Sequence, residues 1–260
     1  MKKIIYSLVF FTAFTMYGCV KKDESIPTRF TSIPANNTNV KFLVMSPDAP
    51  TVNFVANGEK VTSVTPTATN AVVGLSFASI YPATVGYSSI NSGTLKLDAK
   101  VPDSSLVLPG QTVFTNTPTL SAGKFYTYVL VDSLAKLSSV LVEDDPNLPD
   151  QTKAYFRVAN FIPNGAVKIE VVKTSTGNPY TATYNSLAFK TVSAFDSLGA
   201  GAGQTYRIFL RDPVSNVKLD SIAGLVPTNT KKYTIYCRGV LGQSGSTNTR
   251  RPIITNYINF

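Results

Sequence analysis

The chain has 260 residues, of which 24 are basic and 15 acidic, giving a formal net charge of +9 at pH 7. It contains no histidine, which excludes Ser-His-Asp and Cys-His catalysis and removes the commonest metal ligand in proteins. It also lacks tryptophan, although 13 tyrosines and 15 phenylalanines are available as aromatic surfaces. The basic residues are spread along the chain rather than clustered, so we expect no nucleic-acid partner.

The first eighteen residues have the three-part pattern of a signal peptide. Lys2 and Lys3 precede an almost uncharged apolar run over 4–17, and Gly18 comes directly before Cys19. The run is shorter than the roughly 20 residues that a membrane-spanning helix needs, which favours a cleaved leader over a transmembrane anchor. We therefore predict a lipoprotein signal peptide over residues 1–18.

The residues before Cys19 resemble the lipobox of bacterial lipoproteins, whose cysteine sulfur becomes diacylated. Gly18 fits that pattern, whereas Met16 and Tyr17 depart from the usual leucine and small residue. Each acyl methylene that enters the membrane contributes about 0.8 kcal/mol, so several chains anchor a protein stably. The resemblance implies lipid attachment at Cys19, and a membrane as the partner of that lipid.

Residues 19–38 form the predicted tether between lipid and folded protein, because they are polar, contain proline and lack periodicity. Their start, over 20–24, resembles the lysine-plus-acid export signal of Bacteroidota surface lipoproteins, and an ordinary solvated linker is the alternative. We expect a lipid-anchored protein of the cell envelope, in the outer membrane, with cell-surface and periplasmic orientations both open.

From Val40 onward, apolar residues alternate with a period of two, and no segment sustains an amphipathic-helix pattern. Val40, Phe42 and Val44 share one face, which predicts half-buried strands. Asn57-Gly58 predicts a tight hairpin turn. Further strands are predicted at 94–100, 124–132, 139–142, 154–161, 167–172, 205–211, 231–238 and 253–258. Their spacing predicts an all-β fold of two tandem immunoglobulin-like antiparallel β-sandwiches.

An internal repeat supports two copies of one unit. The matching segments are 45–47 with 161–163, 75–77 with 187–189, and 124–127 with 231–234. We predict one β-sandwich domain over 39–148 and a second over 149–260. The acidic connector between them, over 143–150, predicts solvated acids, with Ca²⁺ ligation at the joint as the alternative.

For the remaining candidate sites, a structural role is favoured over a functional one. Acylation of Cys19 leaves Cys237 as the last cysteine, so the mature chain cannot form an internal disulfide, and its strand-like surroundings predict a buried, inert thiol. The glycine-rich segment 199–203 precedes a strand rather than a helix, which predicts a loop instead of a phosphate site. We expect no enzyme activity, no catalytic residue, no metal and no cofactor.

Residues 46–54 with the Asn57-Gly58 turn resemble the opening hairpin of a bacterial family, domain of unknown function 4397. Residues 121–127 resemble a later strand of that family and 143–145 its closing acidic turn. Met45 and Asn53 stand where the family often has histidine and aspartate, so a site using those side chains would be absent. The resemblance covers most of 40–148 and implies extracellular immunoglobulin-like modules, often in tandem, without an established activity.

These observations predict a non-enzymatic envelope lipoprotein whose two β-sandwich modules serve binding or adhesion, with a polysaccharide or an envelope protein as ligand. The ligand-binding residues are not located by the sequence. The alternative is a structural or accessory subunit of an envelope or glycan-uptake complex, in which sheet edges make the contacts.

Overall fold

The structure is a computed structural model that describes residues 36–63, 72–83 and 85–260. The predicted signal peptide, Cys19 and most of the predicted tether lie outside these ranges. In the described ranges, no helix is long and apolar enough to cross a membrane.

The described residues form nineteen β-strands and one short 3₁₀ helix, without an α-helix, which confirms the predicted all-β class. The strands are β1 (Asn37–Val44), β2 (Asn53–Ala56), β3 (Glu59–Lys60), β4 (Ser79–Tyr81), β5 (Ser88–Asn91), β6 (Gly93–Thr94), β7 (Leu97–Lys100), β8 (Thr112–Asn116), β9 (Thr119–Leu120), β10 (Phe125–Val131), β11 (Ser138–Glu143), β12 (Lys153–Asn160), β13 (Val167–Lys173), β14 (Thr181–Leu187), β15 (Asp196–Gly199), β16 (Tyr206–Arg211), β17 (Lys218–Leu225), β18 (Lys232–Arg238) and β19 (Ile253–Ile258). The 3₁₀ helix spans Leu134–Lys136.

Each half of the chain contains a pair of facing sheets. In the N-terminal half, up to residue 144, the sheet β11-β10-β1-β4, with β5 also beside β1, faces the sheet β3-β2-β7-β8. In the C-terminal half, from residue 150, the sheet β15-β12-β18-β19 faces the sheet β14-β13-β16-β17. Most neighbouring strands are antiparallel as predicted, but β1–β10 and β12–β18 are parallel pairs.

The two parallel pairs have equivalent registers. Val40 of β1 lies opposite Tyr126 of β10, and Phe156 of β12 lies opposite Tyr233 of β18. Residues 156 and 40 differ by 116, and residues 233 and 126 differ by 107, which are the offsets of the sequence repeat. The repeated sequence segments therefore occupy matching positions in the two halves.

Strand β1 is buried on both faces, so the prediction of a half-buried strand is wrong for it. Val40 and Phe42 pack in the core of the N-terminal half, whereas Leu43 and Met45 face the C-terminal half. The second apolar layer consists of Leu43, Met45, Val129, Val131, Ala159, Phe161, Tyr236 and Tyr257. The sheets containing β1 and β12 thus pack against each other, and the face that the pattern assigned to solvent is covered. The domain limit at residue 148 stays a prediction.

Candidate binding groove

A groove of about 690 Å³ lies at one edge of the N-terminal pair of sheets, between the β2–β3 hairpin and strands β4 and β5. We call it the edge groove. Strand β3 is the outermost strand of one sheet, and β4 and β5 lie beside β1 at the border of the other. Its polar and aromatic lining residues are Asn37, Asn57, Glu59, Lys60, Tyr81, Tyr87, Ser88, Ser89 and Asn91. The lining therefore combines two phenol rings with amides, hydroxyls and one charge of each sign.

The predicted Asn57-Gly58 turn forms one wall of the edge groove. Both residues have positive φ, +48° for Asn57 and +90° for Gly58, as a tight two-residue hairpin requires. The Asn57 side-chain oxygen accepts the backbone N–H of Lys96 at 2.8 Å. Glu59 and Lys60 follow on the exposed strand β3. The turn is thus fixed to the body of the sheet while its flanking side chains stay accessible.

Tyr87 joins the edge groove to polar groups buried between the two halves. Its hydroxyl donates to Oδ2 of Asp144 at 2.8 Å and accepts from Nδ2 of Asn259 at 3.2 Å. Its ring stacks on Phe260 with centroids 5.3 Å apart. Burial, together with the negative charge of Asp144, raises the pKa of Tyr87 well above its ordinary range, so the hydroxyl remains a donor. The C-terminal half therefore fixes the orientation of a groove residue.

The buried polar cluster between the halves comprises Lys41, Tyr87, Thr127, Asp144, Arg157, Thr234 and Asn259. At its centre, Arg157 Nη2 lies 2.5 Å from Asp144 Oδ1, and Thr127 donates to Asp144 Oδ2 at 2.6 Å. Arg157 Nε also donates to the Thr234 hydroxyl at 2.9 Å. Although burial opposes it, the negative charge of Asp144 raises the pKa of Arg157, so the guanidinium stays charged.

The expectation of solvated acids in the connector is wrong for Asp144, which is 1% exposed. Its burial is possible because Arg157, from β12 of the other half, supplies a compensating charge and hydrogen bonds. The neighbouring acids have separate partners: Glu143 pairs with Lys124 at 2.7 Å, and Asp150 accepts the N–H of Thr152 at 2.8 Å. Within the described residues, no three His, Cys, Asp or Glu side chains converge on a metal position.

Lys41 adds a second cation to the buried cluster. Its Nζ lies 5.2 Å from the ring centroid of Tyr87 and 5.8 Å from that of Tyr257, so each aromatic face contacts a positive charge. Burial lowers the pKa of Lys41 to about 8, against the opposing effect of Asp144. The charge of this lysine is therefore sensitive to mildly alkaline pH.

The other described residues that the sequence singled out do not line the edge groove. Cys19 is outside the described residues. Cys237 is fully buried, as predicted, and its Sγ lies 3.4 Å from the carbonyl oxygen of Ala159. Met45 is buried between the halves, and Asn53 donates its side-chain amide to the carbonyl of Val73 at 2.9 Å. The glycine-rich segment 199–203 joins β15 to β16, as predicted.

The sequence predicted the turn that forms one wall of the edge groove, without a binding role for it, and did not predict the strands of the other wall. The hairpin wall was indicated by Asn57-Gly58. The opposite wall, with Tyr81 and Asn91, belongs to the short strands β4 and β5, which were not predicted. Strand β4 has three residues, and β5 has one buried apolar side chain, Ile90, so neither carries an alternating pattern. Their pairing with β1 is what makes them strands.

Comparison with known proteins gives a family match and distant structural likenesses. The model of the family described as Domain of unknown function (DUF4397) matches residues 38–171, more than half of the chain. No curated protein matches. A solved structure from Bacteroides ovatus, named as a candidate adhesin, aligns at 13% identity over 78% of this chain and 88% of that chain, with a TM-score of 0.22. A likeness at that level assigns neither fold nor function.

Proposed function

The chain belongs to the family described as Domain of unknown function 4397, and we propose that it is a non-enzymatic, lipid-anchored envelope protein that binds a glycan in the edge groove. The edge groove is the observation that carries this proposal. Pockets of several hundred Å³ are the usual size of a small-molecule or saccharide site. Fold alone does not indicate this activity, so the site chemistry has to support it.

The side chains of the edge groove suit a sugar. A sugar ring presents hydroxyl groups around its rim and a patch of C–H groups on its face. The ring of Tyr81 supplies an apolar surface, and the amides of Asn57 and Asn91 supply both donors and acceptors. The Ser88 and Ser89 hydroxyls add groups that donate or accept as required. This mixture matches a neutral or weakly charged saccharide better than an apolar ligand.

The anchoring part of the proposal rests on residues 1–38. Cleavage before Cys19 and acylation of its sulfur would hold the β-sheets at the membrane through the polar tether. Metabolic labelling with palmitate should label the wild-type protein and leave Cys19→Ser unlabelled. Equal labelling of the two proteins, or none of the wild type in its own host, would contradict the anchor.

A glycan array followed by titration of the best ligand tests the binding function. We expect Tyr81→Ala to weaken binding by about tenfold or more, since it removes the stacking surface. Asn57→Gly keeps a residue that tolerates positive φ while removing the amide, and we expect a smaller loss. Val214→Ala is the control, because Val214 is 94% exposed on the other half of the chain. Absence of any glycan ligand for the folded protein would overturn the proposal.

The second candidate function is an accessory subunit of an envelope complex, and strand β14 favours it. This strand is at the edge of its sheet, spans Thr181–Leu187 and carries no charged side chain. Charged residues are a common means of protecting an edge from pairing with another chain. Cross-linking in intact cells would give one dominant protein partner for an accessory subunit, and none for a glycan-binding protein.

A further inference from the structure

The segment between β18 and β19 is a fixed loop that lies beside a cleft away from the edge groove. The backbone N–H of Val240 donates to the carbonyl of Arg250 at 2.8 Å, closing the loop at its base. The side chain of Asn164 donates to the carbonyl of Leu241 at 3.0 Å and accepts its N–H at 2.9 Å. These bonds hold the loop in position before any ligand arrives, which reduces the entropic cost of binding.

The cleft, which we call the loop cleft, measures about 240 Å³ and is lined by both halves of the chain. Phe77 and Ala78 form the N-terminal wall. The C-terminal wall has Arg238 and Arg251 beside a run of hydroxyl and amide side chains at 246–249. No Asp or Glu lines the loop cleft, so its polar lining is positively charged and rich in donors.

Arg238 carries a charge that the described residues do not neutralise. Its guanidinium stacks on Phe77, 5.1 Å from the ring centroid, and its Nε is buried without a hydrogen-bond partner. It also bonds the hydroxyl of Tyr236, but burial raises the pKa of that tyrosine to about 12, so the hydroxyl stays neutral. The ion pairs among the described residues do not include Arg238.

Arg251 differs from Arg238 in having a carboxylate partner. Its Nη1 lies 3.5 Å from Oδ1 of Asp220, whose other oxygen accepts the N–H of Ile254 at 2.9 Å. The loop cleft therefore contains one compensated and one uncompensated guanidinium, which is an excess of one positive charge. A buried or half-buried arginine of this kind is best satisfied by an oxyanion that accepts two parallel N–H bonds.

We infer that the loop cleft binds a carboxylate or sulfate group of an acidic saccharide, with Arg238 holding the anion and the loop hydroxyls holding the sugar. A second cleft of about 390 Å³ adjoins it, shares Ser246 and Arg251, and adds Lys218. The two clefts together provide room and positive charge for the next unit of a chain. This site is separate from the edge groove and uses different residues.

Titration calorimetry with trigalacturonate tests the inference on the whole protein. We expect Arg238→Gln to weaken binding by about tenfold or more, because it removes the charge and the paired N–H donors. Arg238→Lys should restore part of the affinity. Arg250→Gln is the matched control, since Arg250 is exposed, lies in the same loop and outside the cleft lining, and its loss changes the net charge equally. Its affinity should stay within about twofold of wild type.

Three further ligands separate the possible sources of the anion. Galactose 6-sulfate should bind if a sulfate ester serves as well as a carboxylate, and the trimethyl ester of trigalacturonate should not bind. Binding of inorganic sulfate alone, without either saccharide, would overturn the inference. So would equal affinity of wild type and Arg238→Gln for trigalacturonate.

Two controls keep these outcomes interpretable. If Arg238→Gln does not fold, Thr247→Ala/Thr249→Ala replaces it, because both side chains are exposed and line the loop cleft. The double variant should lose about threefold or more in affinity, and an unchanged affinity would contradict the site. Tyr81→Ala should leave trigalacturonate binding unchanged. The absence of glycan binding in the edge groove and the absence of anion binding in the loop cleft therefore give different results.

Discussion

Asp144 and Arg157 form an ion pair buried between the two halves of the molecule, with side chains 0% and 3% exposed and 2.5 Å between Oδ1 and Nη2. One partner ends the N-terminal half, and the other belongs to β12 of the C-terminal half. A buried pair of this kind adds little relative to apolar residues of the same volume, but removal of one partner leaves an uncompensated buried charge.

Asp144→Ala should therefore lower the free energy of unfolding by about 3 to 5 kcal/mol. Denaturation in urea measures the change. Glu59→Ala is the control, because Glu59 is exposed and forms no ion pair with a described residue. The control should cost less than about 1 kcal/mol. Equal costs for the two variants would mean that the charge of Asp144 is not buried in solution.

The stability should depend on pH through Lys41. Because its pKa is lowered from 10.5 to about 8 in the folded protein, the unfolded chain binds more protons between those values, and stability rises with pH there. The free energy of unfolding of wild type, relative to Lys41→Met, should increase by about 1 to 2 kcal/mol between roughly pH 7.5 and 9.5. The raised pKa of Tyr87 lowers the free energy of unfolding of both proteins above that range, and the comparison with Lys41→Met removes its effect. If the difference in free energy of unfolding between wild type and Lys41→Met does not change with pH, the pKa of Lys41 is not lowered in the folded protein.

The hydroxyls of the tyrosines at equivalent positions of β10 and β18 should contribute equally to the free energy of unfolding. The Tyr126 hydroxyl accepts the N–H of Ser121 at 3.1 Å, and the Tyr233 hydroxyl accepts that of Thr228 at 3.0 Å, each five residues upstream. Tyr126→Phe and Tyr233→Phe should each cost about 0.5 to 1.5 kcal/mol. Tyr81→Phe is the control, because no described residue hydrogen bonds its hydroxyl. A large cost for one variant with none for the other would argue against equivalent roles.

Gly239 should not tolerate a side chain. Its φ is +107°, and a Cβ there would overlap the backbone carbonyl of Arg251, which cannot move without opening the loop. Gly239→Ala should cost more than about 2 kcal/mol, because steric overlap adds to backbone strain. Gly242→Ala is the control, since its φ is +87° but a Cβ would meet open space. The midpoint of thermal unfolding should be clearly lower for Gly239→Ala than for Gly242→Ala. Similar midpoints would contradict the loop geometry.

The thiol of Cys237 should be unreactive in the folded protein. It is fully buried, and burial raises its pKa well above the ordinary value, so little thiolate forms. In Cys19→Ser, where Cys237 is the sole thiol, a colorimetric disulfide reagent should react only as fast as the protein unfolds. After denaturant is added, one equivalent of thiol per chain should react at once. Rapid reaction without denaturant would show that the strand opens readily.

The sequence predicted the strands rich in apolar residues well, and the short or mainly polar strands poorly. Strands β10, β12, β18 and β19 begin and end within about two residues of their predicted limits, because long apolar alternation is a strong local signal. Strand β14 was missed, since its residues are mainly polar and its extended form depends on pairing with β13. Strand propensity depends on the neighbouring strands, which explains why β14 was missed while the apolar strands were predicted.

Alternation and turn chemistry are local properties of the chain, so the all-β class, the Asn57-Gly58 turn and the repeat could be predicted without a structure. The burial of both faces of β1, the Asp144–Arg157 ion pair and the position of β4 and β5 opposite the turn became known from the folded chain. Those outcomes require contacts between distant segments, such as Asn39 with Phe125, and periodicity does not encode which segments meet. The same holds for Arg238, whose aromatic partner Phe77 comes from the other half of the chain.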